Sequence, residues 1–127
     1  KAQHFDLQRF NSLLEKKAPA QVEKQLTLLR QQVQAASASR DAKLLAQSSK
    51  SLALVYLSGM NDFDQAMTCL ITSLSIEDSL QWEAGKQYTY MAIARVFEMS
   101  NDYANAAHYL QMAIAIDHAT NDRALQV

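Results

Sequence analysis

Apolar residues recur every three or four positions along most of this chain, which is the period of an amphipathic α-helix. In the middle of the chain, Leu45, Leu52 and Tyr56 fall at this spacing. The pattern predicts four helices after residue 40, spanning approximately 41–58, 62–78, 82–99 and 103–118.

A forty-residue repeat relates these four helices in pairs. The segment 61–66 (NDFDQA) aligns with 101–106 (NDYANA), and Leu70 and Leu74 align with Leu110 and Ile114. We therefore expect two helical hairpins, at 41–80 and 81–120. Two helices of this kind cannot bury their apolar faces alone, so the hairpins must stack on neighbours.

The turn between the helices of each hairpin has its own residue signals. Asp62 and Asp102 are predicted N-caps, and Gln65 completes something close to a capping box. Gly59 stands where a helix end favours a residue that tolerates positive φ.

The first forty residues are less regular and leave two interpretations open. A short apolar group, Phe5 to Leu14, predicts a helix that stops near Lys17, and Pro19 suits the first turn of a second helix. Apolar residues from Val22 to Ala36 then form a narrow seam. We favour a degenerate hairpin at 1–40 that stacks on the first repeat; the alternative is a two-stranded coiled coil, for which about two heptads are short.

Residues 121–127 resemble the start of a further helix, with Asn121 and Asp122 at its cap. That helix would be incomplete at Val127, and the chain begins at Lys1 rather than at methionine. We expect about three hairpins cut from a longer stack.

Composition narrows the class. Two glycines and one proline are too few for a sheet protein with tight turns, which favours an all-α domain. Twelve basic against thirteen acidic residues give no excess of positive charge for binding phosphates, so no nucleic-acid partner is expected. No apolar stretch approaches the roughly 20 residues of a membrane span. A lone Cys69 fits a reducing compartment, and we expect a cytoplasmic protein.

The repeat resembles the tetratricopeptide repeat family. The resemblance is carried by Asp62-Phe63 and Asp102-Tyr103 at the turns, by Ala66 and Ala106 early in the second helix of each hairpin, and by Ser73-Leu74 and Ala113-Ile114 near its end. It implies a right-handed α-solenoid. The period of 40 exceeds the usual 34, Leu54 and Ala94 replace the family's helix glycine, and Asp78 and His118 replace its closing proline.

The same resemblance implies a concave groove that holds a partner peptide or helix. Its lining would come from the first helix of each hairpin: Ser48, Ser51, Val55, Ser58, Tyr88, Met91, Arg95 and Glu98. The alternative is that Tyr88 and Met91 are half-buried between helices and that Arg95 with Glu98 is an ordinary surface pair. The family subtype that grips a terminal carboxylate is not expected, because Ser51 and Val55 occupy its Lys and Asn positions.

Catalytic and metal chemistry is not indicated. His4, His108 and His118 lack a second ligand at a metal-like spacing, so neither a metal nor a cofactor is expected. Cys69 is typical of a buried small apolar residue. Gly85 is predicted to allow a close approach between two helices, and Trp82 is predicted to form a hydrophobic staple at the start of its helix.

The sequence leaves three functions open, none of them enzymatic. The first is a protein interaction scaffold that uses the groove. The second is a sensory or regulatory input module of a larger signalling protein, for example a bacterial nucleotide-second-messenger enzyme or transcription regulator. The third is self-association through the ends of the solenoid, giving a homo-oligomer.

Overall fold

The computed structural model describes residues 19–125 of the chain, and side chains as far as residue 120. This part is all-α and contains no strand. Its five helices are α1 (Pro19–Ala38), α2 (Ala42–Met60), α3 (Phe63–Ser79), α4 (Glu83–Met99) and α5 (Tyr103–Leu125).

The helices predicted after residue 40 are confirmed to within two residues, apart from the end of α5. The helix predicted after Lys17 is present from Pro19, the first described residue. The helix predicted before Lys17 lies outside the described residues.

Each junction between helices turns on one residue in the left-handed region. These are Arg40, Asn61, Gln81 and Asn101, with φ between 51° and 64°. At the junction after α4, the Asp102 N–H donates back to the Phe97 carbonyl at 2.8 Å, which closes a Schellman-type turn. The prediction that Gly59 takes this role is wrong, because Gly59 lies inside α2 with a negative φ.

Gly59 instead permits a close approach between α1 and α2. A β-carbon at this position would lie 2.7 Å from Cγ1 of Val22 on α1. The glycine is therefore required for packing and not for a turn.

The predicted aspartate caps are confirmed. Asp62 accepts a hydrogen bond from the Gln65 N–H at 3.1 Å, and Asp102 accepts one from the Asn105 N–H at 3.3 Å. The Asp62 N–H donates to the Tyr56 carbonyl, so the capping box is only half formed. Asp41 caps α2 in the same way through the Leu44 N–H.

The last helix, α5, continues to Leu125, so the separate helix predicted to start at Asn121 does not begin there. No glycine or proline interrupts the segment 103–125, and its many alanines and long side chains favour helix continuation.

Successive helices pack on one another, joined by links of only a few residues. In addition α2 contacts α4, whereas α3 and α5 do not meet within the described range. The core lies where α2, α3 and α4 converge, with Leu54, Leu57 and Leu70 fully buried. Because α2 has neighbours on several sides, every residue from 51 to 57 is buried.

Candidate functional site

The predicted groove residues of α2 are not on the surface. Ser48, Ser51 and Val55 are all buried, and Val55 is part of the hydrophobic core. Ser58 is half-buried, and its hydroxyl donates to the Leu54 carbonyl at 2.9 Å. The prediction that Ser48, Ser51 and Val55 line an open groove is therefore wrong, because α2 is the central helix of the stack and not an edge helix.

The equivalent row on α4 is accessible. Tyr88 and Met91 are half-buried against the core, while Arg95 and Glu98 are exposed. Arg95 Nη1 lies 2.5 Å from Glu98 Oε1, as an (i, i+3) ion pair. We call these four residues, Tyr88, Met91, Arg95 and Glu98, the α4 row.

Sequence reasoning missed an ion pair at the centre of the core. Lys50 Nζ on α2 lies 2.8 Å from Glu77 Oε2 on α3, and both side chains are completely buried. The Lys50 ammonium also donates to the Gly85 carbonyl of α4 at 2.9 Å. One lysine thus links all three helices.

Two hydroxyl groups complete this buried network. Thr89 donates to Glu77 Oε1 at 2.5 Å, and its oxygen is also 3.1 Å from the Gly85 carbonyl. Ser73 lies within hydrogen-bond distance of both Glu77 Oε2 and the Ala46 carbonyl, at 3.1 and 2.9 Å. The carboxylate therefore has a donor on each oxygen, as a buried charge requires.

Burial opposes the charge on this lysine. Removal from water lowers the pKa of Lys50, and the neighbouring Glu77 carboxylate acts in the opposite direction. The arrangement suits a structural link better than a reactive amine, because its donors are directed at protein acceptors.

Trp82 and Gly85 close the network at the start of α4. A β-carbon on Gly85 would lie 2.8 Å from the Trp82 ring and 2.9 Å from Glu77 Oε2, so the glycine admits both groups. Lys43 Nζ lies 5.0 Å from the centre of the indole ring, a cation–π distance. Trp82 occupies the N-cap position itself, and a hydrophobic staple uses the position before it. The indole therefore acts as a cover over Gly85.

The remaining candidate groups do not form a reactive centre within residues 19–120. No cluster of three or more histidine, cysteine or acidic side chains suitable for a metal ion occurs there. Burial raises the pKa of Cys69, which packs at the edge of the core. A protonated thiol in this position is consistent with the packing role predicted for it.

Glu77 could have been found from its spacing. It follows Ala66, Leu70 and Ser73 at intervals of four, three and four, which places it on the buried side of α3. Lys50 shows no comparable signal, since its burial depends on helices distant in sequence.

Comparison with protein-family models, curated proteins and solved structures gives no match to this chain. Among the described helices, none is both long enough and apolar enough to cross a membrane. Function must therefore be inferred from the surface and the packing of the chain itself.

Proposed function

We propose that this chain is a non-catalytic protein interaction scaffold, a right-handed α-solenoid of repeats resembling the tetratricopeptide type, which binds a peptide or helix of a partner protein. The observation that carries the proposal is the accessible α4 row. It combines half-buried apolar residues with an exposed ion pair along one side of a single helix.

The chemistry of the row suits a protein partner. Tyr and Arg are frequent anchors of protein interfaces, and Met adapts its shape to different apolar partners. Both side chains of the Arg95–Glu98 ion pair are about half exposed, so the pair contributes little to the free energy of folding. Either group can therefore exchange its partner with little loss of stability. A carboxylate and a nearby apolar side chain on the ligand would match Arg95 and Met91.

The packing supports a solenoid. The first helices of the two hairpins, α2 and α4, contact each other, while the second helices, α3 and α5, stay apart in the described region. Such wedge-shaped stacking gives a helical array its curvature, with the first helices on the inner side. The α4 row belongs to one of these inner helices.

We place the scaffold in the cytoplasm. Cys69 is the single cysteine of the chain, so no disulfide within it contributes to stability, as is usual in reducing compartments.

A pull-down followed by quantitative binding tests the proposal. Wild-type chain captures candidate partners, which are identified, purified and titrated by calorimetry against the Tyr88→Ala/Arg95→Ala double variant. We expect an unchanged helical circular dichroism spectrum and a loss of affinity of at least about tenfold.

The matched control is Leu28→Ala, which changes an exposed residue of α1, away from the α4 row. It should bind as the wild type does. If the double variant retains full affinity for the partner while remaining folded, the α4 row is not the binding surface.

A further inference from the structure

The last described helix carries an apolar face that no other described helix covers. Tyr103, Leu110 and Ile114 are 64%, 45% and 53% exposed, and Ala107 between them is also exposed. Their spacing of four, three and four residues places them in one row along the helix. We call this set the α5 row.

The forty-residue repeat shows what this row does in the preceding hairpin. The equivalent residues of α3 are Phe63, Met67, Leu70 and Leu74. Leu70 is completely buried where Leu110 is 45% exposed, and the other three are partly buried in the hydrophobic core. The difference has a simple origin: α3 packs between α2 and α4, whereas α5 contacts only α4 within the described range.

The helix that follows α3 has a distinctive complementary face. Gly85, Thr89, Ala92 and Val96 are buried along α4, again at intervals of four, three and four. Three of these are small. A β-carbon on Gly85 would lie 2.9 Å from Glu77 of α3, and Thr89 contacts Glu77 and Ser73 of α3. The small residues of α4 therefore let α3 come close to its backbone.

A polar contact fixes the register of that interface. Thr89 of α4 donates to Glu77 of α3, and the residue equivalent to Glu77 on α5 is the exposed Asp117. An acceptor is thus available on α5 for a hydroxyl group at the same position of an incoming helix.

We propose that the α5 row is a docking site for an amphipathic helix with small residues at i, i+4 and i+7 and a β-branched residue at i+11. This occupant repeats the α3–α4 interface one step further along the stack. Apolar patches of this kind on a protein surface commonly mark interaction sites. The proposal is independent of the α4 row, which lies on a different helix.

The probe is a capped, fluorescein-labelled synthetic peptide with the sequence of residues 81–101, which contains α4. Fluorescence anisotropy measures its binding to the full chain, and amide chemical shifts show where it binds. We expect saturable binding, with shifts concentrated on α5. The control peptide replaces Gly85 and Ala92 by leucine, which raises the helix propensity but fills the small positions. It should bind at least about tenfold more weakly despite its greater helicity.

Variants of the chain test the contribution of the α5 row itself. Leu110→Lys and Ile114→Lys should each weaken peptide binding about tenfold or more, because they place a charge in an apolar contact. The matched controls are Leu28→Lys and Ile71→Lys, at positions that are 54% and 56% exposed on α1 and α3. Both controls should bind the peptide like the wild type.

Three results would overturn the proposal. The first is no binding up to about 1 mM peptide, an affinity too weak for a specific site. The second is equal binding of both peptides. The third is a concentration-dependent dimer by light scattering that Leu110→Lys abolishes while the peptide fails to bind, which would make the occupant a second copy of the chain.

Discussion

Breaking the buried ion pair from one side should destabilise the fold severely. Replacing Lys50 by methionine removes the ammonium that lies 2.8 Å from Glu77 and leaves the carboxylate buried, with only the Ser73 and Thr89 hydroxyls as donors. An uncompensated charge of this kind costs about 3–5 kcal/mol of unfolding free energy. We expect a similar loss for Glu77→Leu, which leaves the ammonium without its carboxylate.

Removing both charges should cost much less. In Lys50→Met/Glu77→Leu, the Ser73 hydroxyl can still donate to the Ala46 carbonyl, and Thr89 to the Gly85 carbonyl. Replacing a buried pair by apolar residues of similar volume is often neutral or stabilising. We expect the double variant to lie within about 1–2 kcal/mol of the wild type, so the two single effects are strongly non-additive.

Urea unfolding followed by far-ultraviolet circular dichroism measures the four free energies of this double-mutant cycle. The matched control is the more solvent-exposed pair of Lys86 on α4 and Asp78 on α3, whose nitrogen and oxygen atoms lie 3.0 Å apart. Its coupling energy should not exceed about 1 kcal/mol. If the losses from Lys50→Met and Glu77→Leu simply add in the double variant, the two residues are not energetically coupled and our account of the network is wrong.

Three further predictions concern the packing and titration of single residues. Gly59→Ala should lower the unfolding free energy by about 1 kcal/mol through its contact with Val22, and should be neutral or stabilising in a Val22→Ala background; urea unfolding of the four proteins checks this, and equal effects in both backgrounds would contradict it. Cys69 should react with a thiol reagent at pH 8 far more slowly in the folded chain than in urea, because burial raises the pKa of its thiol; equal rates would refute this. Burial lowers the pKa of Lys50 below the 10.5 of a free lysine, so between these two pKa values the unfolded chain binds more protons than the folded chain. The unfolding free energy of the wild type should therefore rise relative to that of the Lys50→Met/Glu77→Leu variant as the pH rises towards 10.5. A constant difference in unfolding free energy across this pH range would contradict the prediction.

Local sequence signals were enough to predict most of the helices. The bounds of α2, α3 and α4 and the start of α5 follow from periodicity together with capping residues such as Asp62 and Asp102, whose interactions span only three positions. These signals depend on neighbours in sequence, and tertiary structure does not alter them.

The residues that turn the chain were harder to predict. A search for positive φ selects glycine, yet the left-handed positions are Arg40, Asn61, Gln81 and Asn101. Asparagine adopts this region readily, whereas arginine and glutamine do so only where the surrounding turn compensates for the cost. Their spacing of about twenty residues is regular, but nothing in the residue types of Arg40 and Gln81 announces it.

The prediction that α2 residues line a groove was wrong for a different reason. Ser48 and Ser51 are small and polar, and sequence alone gives no means of deciding whether such residues face solvent or a neighbouring backbone. Lys50 presents the same difficulty in a stronger form, since lysine is almost never fully buried unless it is paired. Its partner, Glu77, lies 27 residues away, so the pair becomes visible only when α2, α3 and α4 are assembled.

The two hairpins differ in how firmly they specify the next helix. In the first, Lys50 donates to the Gly85 carbonyl and Glu77 accepts from Thr89, so a misplaced α4 would break both contacts, which penalises any other register. Ser73 belongs to the same network through its contact with Glu77. The equivalent residues of the second hairpin are Tyr90, Ala113 and Asp117, and they cannot form the same buried charge network. Shape complementarity to the α5 row must then determine most of the specificity for a docked helix. An interface selected mainly by shape tolerates more partners than one selected by buried charge, so the α5 row should accept any helix with the required small residues, whereas the α3 surface accepts α4.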